Sequence, residues 1–272
     1  MYDSQSDGSG DSVLCDVRDV NVKYERWGQT VSALRNLSLK VRRGEWLMIV
    51  GPNGSGKSTL LKVVSGRRDP DGGKITLNDH EVTDLSCKQR AREVFMVHQD
   101  PLLGTAASLT VFENLRVADE EGGEREDREL REKYQELLEP LGLEGRLNQR
   151  AQSLSGGERQ LLALLIARLR HAPLILLDEP LASLDPMRSD TCLQQIAALQ
   201  EEGKTLVHVT HNLEHAVFHG DRTVVLGDGE VVKELSRGKR TLDCVRNAWT
   251  SGLDVSQSDG SHLEEAANQA NT

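Results

Sequence analysis

Residues 45–50, Glu-Trp-Leu-Met-Ile-Val, are almost wholly apolar, as in a strand buried on both faces of a parallel sheet. They run directly into Gly51-Pro52-Asn53-Gly54-Ser55-Gly56-Lys57-Ser58-Thr59, which matches G-x-x-x-x-G-K-[ST] at every fixed position. The pattern of residues 58–66 then reads as a helix stopped at Gly66. Strand, glycine-rich loop and helix in that order constrain the fold more tightly than anything else in the chain. The residue types suit phosphate. Gly51, Gly54 and Gly56 let the backbone turn sharply and aim successive N–H groups at anionic oxygens. The helix adds the positive end of its dipole. Lys57 brings a mobile charge for β- and γ-phosphates, and the Ser58 hydroxyl is a natural Mg²⁺ ligand.

The rest of the chain fits an α/β protein. Residues 13–24 and 31–41 alternate apolar and polar, predicting half-buried antiparallel strands. Further strands are predicted over 74–77, 93–97, 173–179 and 204–211, with helices over 108–118, 125–142, 157–171, 188–203 and 212–220. A hairpin over 223–234 turns at Asp228-Gly229. Strands alternating with helices imply a mostly parallel sheet.

The strand pattern ending at Asp178-Glu179 places two acids directly after four apolar residues. Two carboxylates there are costly unless they have a chemical task, and the carboxyl end of a parallel strand is where ligands bind. Asp178 is read as a holder of Mg²⁺ from outside its inner coordination sphere, acting through water or another ligand. Glu179 is read as the general base that polarises an attacking water.

Charge narrows the partners. The 272 residues carry a net charge of −10. Residues 1–12 contribute −3, residues 252–272 contribute −4 and the run 119–129 contributes −5, so the remainder is close to neutral. An acidic chain without a basic face is a poor nucleic-acid binder. No apolar run is long enough to span a bilayer, and the N-terminus lacks the pattern of a secretory signal. Cys15, Cys87, Cys192 and Cys244 are scattered and form no metal-binding pair. Both ends are rich in Ser, Gly, Asp and Gln, share the string SQSDGS, and read as disordered.

Beside these features stands Leu154-Ser155-Gly156-Gly157-Glu158, which resembles the signature of ATP-binding cassette (ABC) ATPases. Its own residues already describe an anion site at a helix start, and Ser155 with Glu158 three residues on is also a capping box. The resemblance spans roughly residues 13–235. It implies a P-loop NTPase core of mostly parallel sheet, with an antiparallel β subdomain and an inserted α-helical subdomain at about 100–158. The domain runs over 13–251 between acidic tails at 1–12 and 252–272.

The resemblance also assigns roles. Gln99 corresponds to a glutamine that ligates Mg²⁺ and positions water. His211 corresponds to a histidine that contacts the γ-phosphate. Asp185, in Ser183-Leu184-Asp185, acts at a dimer interface. Tyr24 stacks on adenine, with Trp27 as the alternative. Ser155, Gly156, Gly157 and Glu158 serve the ATP of a second subunit, so that two chains sandwich two ATP molecules. The segment from Asp100-Pro101-Leu102-Leu103 onward lines a groove for a helix of a membrane permease. The resemblance is strongest to the cassettes of amino-acid importers of the tryptophan/tyrosine type. That implies an extracytoplasmic substrate-binding protein in the system, and a cytoplasmic place for this chain on the inner face of the membrane. His98 departs from the Phe common in relatives.

Overall fold

The computed structural model describes residues 12–26, 28–123, 125–182 and 184–250. Trp27, Ser183, residues 1–11 and residues 251–272 lie outside them, so the readings placed there have no structural counterpart. The chain divides into two compact units. One comprises the residues up to Arg90 and those from Val207 on; the other is Ala91–Leu206.

In the first unit, β1 (Val13–Arg26) and β2 (Gln29–Arg42) form a long antiparallel pair, from Val13 opposite Arg42 to Arg26 opposite Gln29. β1 starts where predicted and runs two residues further, and β2 exceeds its predicted length at both ends, with register shifts near Asp19 and Asn36, which both take positive φ. Then come β3 (Trp46–Val50), α1 (Lys57–Val64), β4 (Gly72–Leu77), the two-residue β5 (His80–Glu81) and α2 (Cys87–Arg90). One sheet has the order β2-β1-β4-β5. The helix predicted to Gly66 ends two residues earlier, and Gly66 at φ 71 completes the turn by donating its N–H to Val63 O.

Arg90 gives this unit an unforeseen prop. It is 1% exposed, and its guanidinium donates to the carbonyls of Val63, Val64, Thr83 and Leu85 at 2.7–2.9 Å. It thus supplies a donor to the Val64 carbonyl and a second one, beside Gly66 N–H, to that of Val63, at the end of α1 where the helix itself offers none.

The second unit holds β6 (Val94–Val97), α3 (Val111–Ala118), α4 (Asp127–Leu138), α5 (Gly156–Leu169), β7 (Leu174–Asp178) and α6 (Pro186–Glu201). β6 and β7 are parallel, from Val94 opposite Leu174 to Val97 opposite Leu177. The helix predicted over 125–142 becomes α4 followed by a 3₁₀ turn at Glu139–Leu141, because Pro140 lacks the N–H that another α-turn would need. Most of α5 is buried, as its near-continuous apolar sequence requires. The buried Asp119 carboxylate of the acidic run accepts from Tyr134 and Lys133 at 2.9 and 2.8 Å, so part of that run is anchored.

β8 (Thr205–Val209) carries the chain back into the first unit, where α7 (Leu213–Phe218), β9 (Arg222–Gly227) and β10 (Glu230–Ser236) follow. There β9 lies between β10, antiparallel, and β3, parallel with Leu47 opposite Arg222. The β9–β10 turn falls at Asp228-Gly229, φ 48 and 82, as the dipeptide predicts.

His208 on β8 is fully buried, stacked on the Trp46 ring at 6.1 Å, with His219 on the same indole at 5.8 Å. Burial, reinforced by the neighbouring charges of His215 and His219, pushes the His208 imidazole down to about 3. Its unfolded value is about 6.5. The fold therefore holds the neutral form, and the stability this contributes is complete above pH 6.5 and lost as pH falls towards 3. Thermal unfolding at pH 7.5 and pH 5 is expected to show about 2 kcal/mol less stability at pH 5 from this one group. His208→Phe is expected to remove that share, and an unchanged pH slope would refute the assignment.

Candidate ATP-binding site

In the first unit the loop between β3 and α1 is shaped by its neighbours. A Cβ on Gly51 would lie 2.2 Å from Leu226 O and 2.6 Å from Ser55 Oγ. A Cβ on Gly56, at φ 96, would lie 2.5 Å from Ala33 O. Both glycines are thus needed for the loop to fit against β2 and β9, before any phosphate is considered. Gly54, at φ 87, has nothing within 4 Å of its Cβ position and faces open space beside Asn53. Ser55 N–H donates to Pro52 O at 3.2 Å and closes the turn.

Lys57 is buried, and its ammonium donates to Gly51 O and Pro52 O at 2.7 and 2.9 Å, folding over its own loop. Ser58 is exposed and Thr59 half-buried in the first turn of α1. The hairpin tip is fastened to this loop. Gly229 N–H donates to Ser55 O at 3.2 Å and Gly229 O accepts from Arg35 N–H at 3.0 Å. Arg35 and Asp228 pair at 2.7 Å. Nothing in the periodicity of the sequence foretells that tie.

Two more expected residues lie in this unit. His211 is exposed two residues past β8, where Thr210 N–H donates to Ile49 O at 3.1 Å. That bond sets the end of β8 beside the end of β3, and so His211 beside the start of the loop. Tyr24 is half-buried on β1, and the Arg68 guanidinium lies over its ring at 5.7 Å. The ring's face already attracts a flat cation.

The second unit groups the others. Asp178, 8% exposed, ends β7, and half-buried Glu179 follows. Glu179 takes φ 47, a left-handed conformation that costs a non-glycine residue energy. Continuing the β6–β7 register sets exposed Gln99 opposite Glu179, at the carboxyl ends of adjacent parallel strands.

Ser155 caps α5 in a complete capping box. Ser155 N–H donates to Glu158 Oε2 at 2.7 Å, and Glu158 N–H donates to Ser155 Oγ at 3.3 Å. Arg146 pairs with Glu158 Oε1 at 3.4 Å. Ser155 and Gly156 are exposed, leaving the helix start open to an anion. Asp185 is exposed and caps α6 by accepting from Arg188 N–H at 3.0 Å. The hydroxyl of Ser58, the carboxylate of Asp178 and the amide oxygen of Gln99 are all hard oxygen donors of the kind Mg²⁺ takes.

A glycine-rich loop between a buried parallel strand and a helix, with a lysine at its end, defines a P-loop nucleoside triphosphatase. Comparison with known proteins narrows the class. The model of the ABC transporter family matches residues 34–182. The tyrosine transport ATP-binding protein of Clostridioides difficile is 39% identical over 216 residues, which cover 77% of this chain and 86% of that protein. The diacetylchitobiose uptake system ATP-binding protein MsiK of Streptomyces coelicolor is 35% identical over 83% of this chain, which spans 58% of that longer protein. The macrolide export ATP-binding/permease protein MacB of Chlorobium phaeobacteroides is 34% identical over 81% of this chain and 34% of its own length. Among solved structures, a dimeric ATP-binding cassette in a post-hydrolysis state bound to ADP and Pi aligns with TM-score 0.73 at 31% identity, over 82% of this chain and 99% of that one. The chain belongs to the ABC transporter family and is an ATP-hydrolysing cassette.

Proposed function

We propose that this cassette energises import of an amino acid or similar small solute through a separate membrane permease. One observation carries the reading: 39% identity to the tyrosine transport cassette of Clostridioides difficile over most of both chains. Export is the second reading, favoured by the likeness to the macrolide export protein. In the import reading the chain sits at the cytoplasmic face of the membrane and works with permease subunits and an extracytoplasmic binding protein. None of its described helices is long and apolar enough to cross the bilayer itself.

The chemistry proposed is in-line attack of water on the γ-phosphate of ATP. The loop amides from Asn53 to Thr59 bind the phosphates, the Ser55 N–H turning to them from Pro52 O, and the Lys57 ammonium swings from its own carbonyls to the β- and γ-oxygens. Pro52 fixes the first bend of that loop. Tyr24 stacks on adenine. Ser58, Asp178 and Gln99 would hold Mg²⁺, which when bound neutralises charge on the phosphates. Glu179 orients the water and takes its proton, and His211 donates to the γ-phosphate. Two chains close head to tail, so that Ser155, Gly156 and Gly157, braced by Glu158, face the partner's ATP, with Asp185 at the same interface. Reopening after hydrolysis moves the permease.

The test is to purify the transporter through a tag on this chain and reconstitute it in proteoliposomes. ATP turnover is expected to rise several-fold when a loaded amino-acid binding protein is added, with accumulation of the labelled amino acid. Turnover indifferent to any binding protein, with solute leaving the cytoplasmic-face compartment, would establish export instead.

A further inference from the structure

Arg188 joins the starts of two helices in the second unit. A Cβ on Gly157 would lie 2.5 Å from Arg188 Cδ, 3.3 Å from its Nε and 3.4 Å from its Nη1. The arginine side chain therefore lies along the second glycine of the Ser155-Gly156-Gly157 turn, in space that any larger residue there would occupy. Its Nε is 3.5 Å from Asp185 Oδ2, while its backbone N–H is held by Asp185 Oδ1. One side chain thus spans from the cap of α6 to the first turn of α5. Its charge also reaches the capping box. Burial works to raise the Glu158 carboxyl, but the bonds from Ser155 and the charges of Arg146 and Arg188 outweigh it and hold that carboxyl below its ordinary value.

A cation is an odd neighbour for a helix N-terminus, whose dipole is already positive. The arrangement becomes favourable when an anion docks there, since dipole, amides and guanidinium then act together. We infer that Arg188 is a positioning residue for the second half of the ATP site: it fixes the Ser155-Gly156-Gly157 turn against Asp185 and adds a fixed positive charge behind the amides that meet the partner's γ-phosphate. The inference rests on the proposed trans role of those residues.

Glu179→Gln provides the background in which ATP-bound dimers would accumulate. In it, Arg188→Met keeps an unbranched, apolar stem against Gly157 and loses the guanidinium and its charge. The ATP concentration giving half-maximal dimer, followed by sedimentation, is expected to rise about ten-fold or more. Arg188→Lys is expected to restore most of it. Affinity for ADP, which lacks the γ-phosphate and needs only one chain's loop, is expected to stay within about two-fold, because Arg188 does not belong to that loop. Dimerisation at unchanged ATP, or ADP affinity falling in parallel, would overturn the role. Should Glu179→Gln itself remain monomeric at saturating ATP, the trans reading fails and the role of Arg188 with it.

Discussion

Glu179→Gln is expected to slow ATP hydrolysis by roughly 10²-fold or more while leaving ATP binding intact, the loss typical of removing a positioned general base. Glutamine matches glutamate in shape, so the change isolates the proton-accepting function. The local structure supports that separation. Glu179 follows five buried residues of β7 and is itself half-buried. Its left-handed backbone is held by what surrounds it, Pro180 after it and the bond from Ala182 N–H to Glu179 O at 3.1 Å. The isosteric replacement keeps that backbone, and the unfolding temperature is expected to move by no more than a few degrees. With chemistry blocked, ATP-bound dimers should accumulate and be visible by gel filtration. Turnover equal to that of the unaltered chain would remove Glu179 from the reaction, and the other carboxylate at the strand end, Asp178, would become the one to test.

The parts of this site that could be read from sequence are those whose chemistry is written in consecutive residues. The loop from Gly51 to Thr59 is one such part, since each glycine, the lysine and the hydroxyls stand at fixed separations along one turn. The Ser155–Glu158 capping box is another, because both of its bonds close within three residues. The hairpin at Asp228-Gly229 is a third, because its two positive φ angles follow from that dipeptide. The parts that escaped are long-range. Arg90 stands in a stretch with no motif or clear periodicity, yet it is buried against carbonyls up to 27 positions away. Arg188 reads as an ordinary helix residue, yet it touches Gly157, 31 positions earlier. The tie between Gly229 and Ser55 crosses most of the chain. Short elements such as β5 and α2 have too few residues for periodicity to register. Where helices ended earlier than predicted, a local residue was decisive: Pro140 after α4 and Gly66 after α1.

Lys57→Ala is expected to abolish tight ATP binding, and the structure gives the substitution two separate consequences. The first is electrostatic. The ammonium is the charge within the loop that can move to meet the β- and γ-phosphates, and a charge-assisted bond in a partly buried site contributes about 1.5–3 kcal/mol each. Losing two or three such bonds takes affinity down by several orders of magnitude. The second is architectural. The ammonium donates to Gly51 O and Pro52 O, so alanine leaves two loop carbonyls without this donor in a place where Lys57 is only 6% exposed. That is expected to cost about 1–3 kcal/mol of stability, less where water reaches the carbonyls. The two effects can be told apart. Lys57→Arg keeps a charge but has a longer, planar head that cannot reproduce the fold-back onto both carbonyls, so it should recover part of the ATP affinity and little of the stability. Titration with a fluorescent ATP analogue gives the first quantity and thermal unfolding without nucleotide the second. Micromolar affinity retained by Lys57→Ala would show that the backbone amides alone suffice to hold the triphosphate, and that the lysine's place is in shaping the loop.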